Sequence, residues 1–128
     1  MPIEYTVDDA RRLVWAIGRG TLTGDDVMGY QRDVWSSPEV KGYNELMDLR
    51  EVERIDMASA KRLKELASLS ASMDAPAQSK FAIVASKDEA FGLSRMYETY
   101  RRLEDRSTKQ VGVFRTMDEA WEFLGLKP

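Results

Sequence analysis

The sequence predicts an α/β fold: a mixed five-stranded sheet, opened by a hairpin and continued by parallel strands, with four main helices. Three observations carry the prediction. Apolar runs too short for helices recur at residues 13–17, 46–49, 81–85 and 111–114. After each comes a polar, cap-forming stretch and then an apolar stripe at helical spacing. Strand–helix–strand alternation of this kind requires parallel strands joined by right-handed crossovers. No low-complexity linker or shift in composition interrupts the pattern, so residues 1–128 read as a single domain.

In chain order, Ile3, Tyr5 and Val7 alternate with Glu4 and Thr6, the period of a half-buried strand. Asp8-Asp9 turns the chain into the run at 13–17, which is apolar at every position and closes at Gly18 and Gly20. Thr23-Gly24-Asp25-Asp26 caps a helix whose apolar side carries Val27, Met28, Tyr30, Val34 and Trp35, ending at Ser36-Ser37-Pro38. The strand at 46–49 leads through a charged connection, with Val52 and Ile55 inward, to Asp56 as the expected N-cap. Ala60, Leu63, Leu66, Ala67, Leu69 and Met73 make the next stripe, stopped at Asp74-Ala75-Pro76. After the strand at 81–85, Ser86 and Glu89 have capping-box spacing, and Leu93, Met96, Tyr97, Tyr100 and Leu103 form the third stripe. Thr116 and Glu119 repeat the spacing before Met117, Ala120, Trp121 and Leu124, and Gly125 is placed to end that helix left-handed.

Composition excludes several chemistries. Cysteine and histidine are both absent, which removes thiol nucleophiles, thiolate or imidazole metal sites, and the Ser-His-Asp arrangement. No carboxylate pair has distinctive spacing, so the expectation is a non-enzyme with no catalytic residue, no metal and no cofactor. The net charge of −3 argues against nucleic acid as a partner. Nothing approaches a membrane span or a signal peptide, so a cytoplasmic protein is expected.

Open parallel sheets bind ligands beyond the carboxyl ends of their strands. Arg19, Arg50, Lys87 and Arg115 each follow a parallel strand there, close to the expected helix starts at Thr23, Asp56, Ser86 and Thr116. An anion site is one reading. First-turn acids at Asp25, Asp26, Asp56, Asp88, Glu89, Asp118 and Glu119 favour the other, a salt-bridged rim. On the third helix, Phe91 falls nearly opposite the apolar stripe, in line with Arg95 and Glu98. There it either covers a loop or, with Gly92 and Arg95, rims a binding site. Trp15, Trp35 and Trp121 read as core, while Lys61, Arg62, Lys64 and Arg101-Arg102 read as solvated faces, with Glu65 one turn from Lys61.

The run Leu46-Met47-Asp48-Leu49, Val52, Ile55-Asp56, Ala60 and Leu63 resembles the SpoIIAA-like, or STAS, family. Phe91-Gly92-Leu93, Arg95-Met96 and Glu119-Ala120-Trp121 with Leu124-Gly125 resemble its STAS/SEC14-like bacterial branch. The resemblance implies a right-handed βα superhelix and a regulatory or protein-interaction domain akin to anti-sigma-factor antagonists. In those antagonists a phosphorylated serine follows the loop aspartate. Here Asp56 is followed by Met57, and Ser59 is rotated about 100° per helical position away from that place. The phosphoserine switch is therefore expected to be missing. The branch also implies an alternative: a binder of a small, apolar, lipid-like ligand. Candidate binding residues are Arg50, Asp56, Met57, Ser86, Lys87, Phe91, Gly92, Arg95 and Arg115.

Sequential crossovers place helices mainly on one face, yet the strand runs are apolar on both. Terminal segments, a second copy or an apolar ligand could cover the other face. The expectation drawn from this is a homodimer, with a lipid-like guest as the alternative.

Overall fold

The computed structural model describes residues 2–128. Five strands form one sheet in the order β1-β2-β3-β4-β5: β1 (Ile3–Asp8), β2 (Leu13–Thr23), β3 (Asn44–Asp56), β4 (Ser79–Val84) and β5 (Lys109–Phe114). β1 is antiparallel to β2, forming the predicted hairpin, and the remaining pairs are parallel. The helices are α1 (Gly24–Trp35), α2 (Ala60–Ser72), α3 (Asp88–Arg102) and α4 (Met117–Leu124).

The three crossover helices share one face, as a single crossover hand along consecutive strands requires. Their core joins Val14, Ala16, Met47, Leu49, Phe81 and Ile83 to Tyr30, Val34, Leu63, Leu66, Ala67 and Tyr97. Among the described residues α4 does not connect two strands, so no crossover rule binds it. It folds under the sheet and seats Ala120, Trp121 and Leu124 on Leu13, Leu46, Ala82 and Val84. A terminal segment thus covers the second face. The apolar side chains there require neither a second copy nor a guest.

Two strands run further than their apolar runs. β2 continues through Gly18 and Gly20 by means of register shifts between Ile17 and Arg19 and between Gly20 and Thr21. A Cβ on Gly18 would stand 3.1–3.2 Å from the side chains of Leu22, Val52 and Leu49, so a larger residue there would make these three shift. β3 keeps pairing with β2 as far as Asp56, but its pairing with β4 ends at Asp48. The charged stretch expected as a loop is a two-stranded ribbon, with Val52 buried and Arg50, Glu51, Glu53 and Arg54 exposed.

The helix starts correct two expectations. Asp56 Oδ1 accepts from Ala58 N at 3.0 Å in a turn with Ala58 at φ +69°, which delays α2, and Ser59 is its N-cap, accepting from Arg62 N at 3.1 Å. Lys87, not Ser86, is the N-cap of α3, with no side-chain cap bond. Thr23 and Asp26 form a reciprocal capping box, whereas Thr116 accepts from Glu119 N but donates its hydroxyl to the Glu119 carboxylate. Gly125 closes α4 at φ +69° as expected.

The stripe on α3 is also rotated from its predicted place. Ala90, Ser94, Tyr97 and Arg101 are buried, while Met96 is 40% and Leu103 73% exposed. Arg101, expected in solvent, is 2% exposed because the buried carboxylate of Asp74 pairs with it. Phe91 is consequently half-buried against the core rather than opposite it. On α2, Arg62 is the helix's paired cation, reaching Asp25 and Glu65.

Candidate functional site

Between the sheet and α1–α3 lies an elongated cavity of about 80 Å³. Its walls are apolar: Leu22, Met47, Leu49, Leu63, Leu66 and Ile83 among them. Val27, Ile55 and Leu93, half-buried lining residues at the carboxyl ends of the strands, mark the end nearest the surface. Met57 is 8% exposed and forms part of this wall.

The opposite end is polar. Tyr30, Gln31, Glu45, Ser70 and Tyr97 line it, and all five are buried. Tyr30 donates to Glu45 Oε2 at 2.8 Å and accepts from Trp35 Nε1 at 3.2 Å. Lys109 donates to Glu45 Oε1 at 3.0 Å, with its ammonium 3.2 Å from the Trp35 ring centre. Ser70 donates to Gln31 Oε1 at 2.9 Å, and Arg101 donates to Tyr97 at 2.6 Å while pairing with Asp74. Asp74 Oδ2 also accepts from Ser107 Oγ, Thr108 N and Lys109 N, fastening the start of β5 to the end of α2.

Burial, then the Glu45 charge, pushes the Tyr30 hydroxyl well above its ordinary pKa, and burial raises Tyr97 against the pull of Arg101. Burial lowers Lys109 despite Glu45. For Arg101, burial is outweighed by Tyr97 and Asp74, and the guanidinium is held charged. Both tyrosines are therefore neutral hydrogen-bonding groups, poorly placed to act as bases.

The residues expected at the rim are placed differently. Lys87 Nζ donates to Val52 O at 2.9 Å and Glu89 Oε1 accepts from Ile55 N at 3.4 Å. These side chains meet backbone groups left free where β3 outruns β4. Arg115 donates to Ser86 O at 3.1 Å and to Asp88 Oδ1 at 2.7 Å, and stacks 4.0 Å from the Phe91 ring centre. Ser86, Lys87, Phe91 and Arg115 thus form one corner. Arg50 is elsewhere engaged, donating twice to Asp48, whose hydrogen bonds hold the guanidinium's pKa up. Arg95 is exposed beside Glu98, Gly92 is exposed with open space where a Cβ would point, and Asp56 is spent on its turn. Arg19 pairs with Glu4 and Glu51. Of the four rim cations, Arg115 meets a first-turn acid, Asp88, while Arg19 and Arg50 pair with other carboxylates and Lys87 meets a backbone carbonyl.

The polar end of the cavity escaped the sequence reading. Its signal was present: Gln31, Ser70 and Arg101 lie in phase with the apolar residues Val27, Leu66 and Tyr97, each one helical turn earlier. Polar residues on a buried stripe are the informative exceptions to burial rules. Among the described residues, no group of acidic side chains could hold a metal ion, and no helix is long and apolar enough to cross a membrane.

The chain is similar in fold to an uncharacterised protein of the DUF3478 family from Shewanella loihica, which has a SpoIIAA-like fold. The two are 13% identical, with a TM-score of 0.60 over 95% of this chain and 93% of the other. The fold is therefore SpoIIAA-like. No protein-family model and no curated protein matches the chain.

Proposed function

We propose that this chain is a non-enzymatic binding domain that holds a small apolar ligand beneath α1–α3 and works without a phosphoserine switch. The observation that carries the reading is Met57, buried in the cavity wall at the place where the resembled antagonists expose a serine hydroxyl. A thioether there cannot accept phosphate, and its flexible side chain can reshape around a guest. Ser59, the nearest hydroxyl, is occupied as the cap of α2. The tyrosines at the cavity's end are too weakly acidic to serve as bases, in keeping with a binding role.

Native mass spectrometry of protein purified from its own host tests this reading. A small-molecule adduct, lost on denaturation and absent from a folded Met57→Trp variant, is the expected result. No adduct, together with no thermal shift from small apolar compounds, would sink it.

A second reading, protein contact, is favoured by the corner where β3 outruns β4. Backbone there is met by Lys87 and Glu89 rather than by a strand, and Arg115 and Phe91 stand beside it. An extended partner segment could replace those side chains along the free edge. A stoichiometric protein recovered with the wild type, but not with Lys87→Ala/Arg115→Ala, would select this reading.

A further inference from the structure

We infer that the cavity selects a slim, uncharged molecule with a linear apolar body ending in a hydroxyl; the inference rests on the cavity reading above. Size comes first. A cavity of about 80 Å³ exceeds the roughly 10–15 Å³ that one water needs and is about half the ~150 Å³ engineered cavity that takes benzene, so a guest of six carbons requires the wall to give. Its lining nevertheless extends along β3 from Glu45 to Leu49, about 13 Å at ~3.3 Å per residue. Long and narrow space suits an alkyl chain better than a ring. Met47 and Met57 are the adaptable parts of its wall.

Charge decides the end group. Glu45, the charged residue in the lining, is already paired with Lys109, and Arg101, which donates to the lining Tyr97, is paired with Asp74. The side chains involved are 2–6% exposed, so water cannot screen an intruder. A carboxylate guest would lie beside Glu45, and an ammonium guest would have to compete with Lys109 for that carboxylate. Either brings a charge with no free partner into a dry site, which is the costly arrangement for buried ions. A headgroup anion is disfavoured on the same ground.

Hydrogen bonding then favours a hydroxyl over plain hydrocarbon. Gln31 Nε2 has only the Met73 thioether as a partner, at 3.5 Å, and sulfur is a weak acceptor. Ser70 Oγ gives its proton to Gln31 Oε1 and keeps lone pairs to accept with. A guest hydroxyl can accept from Gln31 and donate to Ser70. A carbonyl can do only the first.

The test uses the full chain and four probes of one length: 1-hexanol, hexanoate, hexylammonium and hexane. Binding is measured at pH 7.5 by amide chemical-shift titration, following Gln31, Ser70 and Met57. The expected result is 1-hexanol bound at least tenfold tighter than either ion and several-fold tighter than hexane. Ser70→Ala should narrow the preference for 1-hexanol over hexane, Gln31 still donating, while leaving the fold intact by its amide spectrum. Hexanoate or hexylammonium binding as well as 1-hexanol overturns the end-group inference but leaves the cavity reading standing. No shift at these residues with any probe overturns both.

Discussion

One sheet carries two unlike faces. Beneath it, a single eight-residue helix closes a wholly apolar cluster, with Trp15 edge-on to Trp121 at 5.1 Å and the Arg11 guanidinium over the outer side of Trp121. Above it, three helices enclose a larger core that contains a cavity and a row of buried polar groups. The lower face keeps close to the rule for cores, close packing without polar atoms, its exception being the Trp15 indole N–H, buried without a partner. The upper face breaks it in the space a ligand would use. On the proposed reading, the lower face serves stability and the upper face gives up some packing for ligand space.

The sharpest way to break this contrast is to open the polar network. Asp74→Ala leaves the Arg101 guanidinium, 2% exposed, without its carboxylate and removes the acceptor for Ser107, Thr108 and Lys109. The expected loss is about 3–5 kcal/mol in urea unfolding, because an unpaired buried charge is dearer than a missing pair. The double variant Asp74→Leu/Arg101→Met should recover most of it. A loss under about 1 kcal/mol in the single variant would mean that the network is not holding β5 to α2.

Next in size is a comparison of two leucines, 0% and 4% exposed. Leu46→Ala on the lower face of β3 should cost about 2–5 kcal/mol, since Leu46 is fully buried in the lower cluster. Leu63→Ala should fall at the low end of that range, because Leu63 already borders empty space and has fewer contacts to lose. It should also admit larger guests. Equal costs by chemical denaturation would erase the distinction between the two faces.

What the sequence disclosed follows the same division. The lower face was legible, because the α4 stripe and Gly125 needed only local pattern, although its role as the cover did not. The centres of β2 and β4 were legible as apolar runs. Their continuations were not: the ribbon of β3 past Asp48 has one strand neighbour and reads as a charged loop. The phase of α3 was misjudged because hydropathy weights Met96 and Leu103 above Ser94 and Arg101. Only Asp74, at the far end of α2, makes burial of Arg101 favourable, and no local window contains both. For the same reason the rim cations are legible and the cavity's polar end is not. The former follow their apolar runs within a few residues; the latter is assembled from α1, α2, α3 and β3, with Lys109 of β5 behind Glu45 in the hydrogen-bond network.

The upper face should also reveal itself in alkali. Tyr30 and Tyr97 have folded pKa values raised above the ordinary value near 10, so the unfolded chain gives up these protons first. Their contribution is fully present below about pH 10 and is lost as pH rises through the folded values, at roughly 1.4 kcal/mol per pH unit for each group. Lys109 acts in the opposite sense. Its folded pKa is lowered, so stability rises with pH between that value and about 10.5. A maximum near pH 10 followed by a steep fall is expected. Tyr30→Phe should make the fall shallower in pH-dependent urea titrations, and an unchanged slope would refute burial as its cause.

The smallest effect separates two serine/threonine positions that look alike in sequence. Thr116 accepts from Glu119 N at 3.3 Å, so Thr116→Ala should cost about 1 kcal/mol through fraying of α4 on the lower face. Ser86 has the same spacing to Glu89 yet is exposed, does not cap α3, and leaves Glu89 to accept from Ile55. Ser86→Ala should therefore stay within about 0.5 kcal/mol. Glu89→Ala should instead loosen the ribbon, seen as faster amide exchange at Ile55 with little change in global stability. The motif is identical, and the difference lies in what stands opposite it: around α4 the backbone needs of the helix come first, and around α3 those of an unpaired strand do.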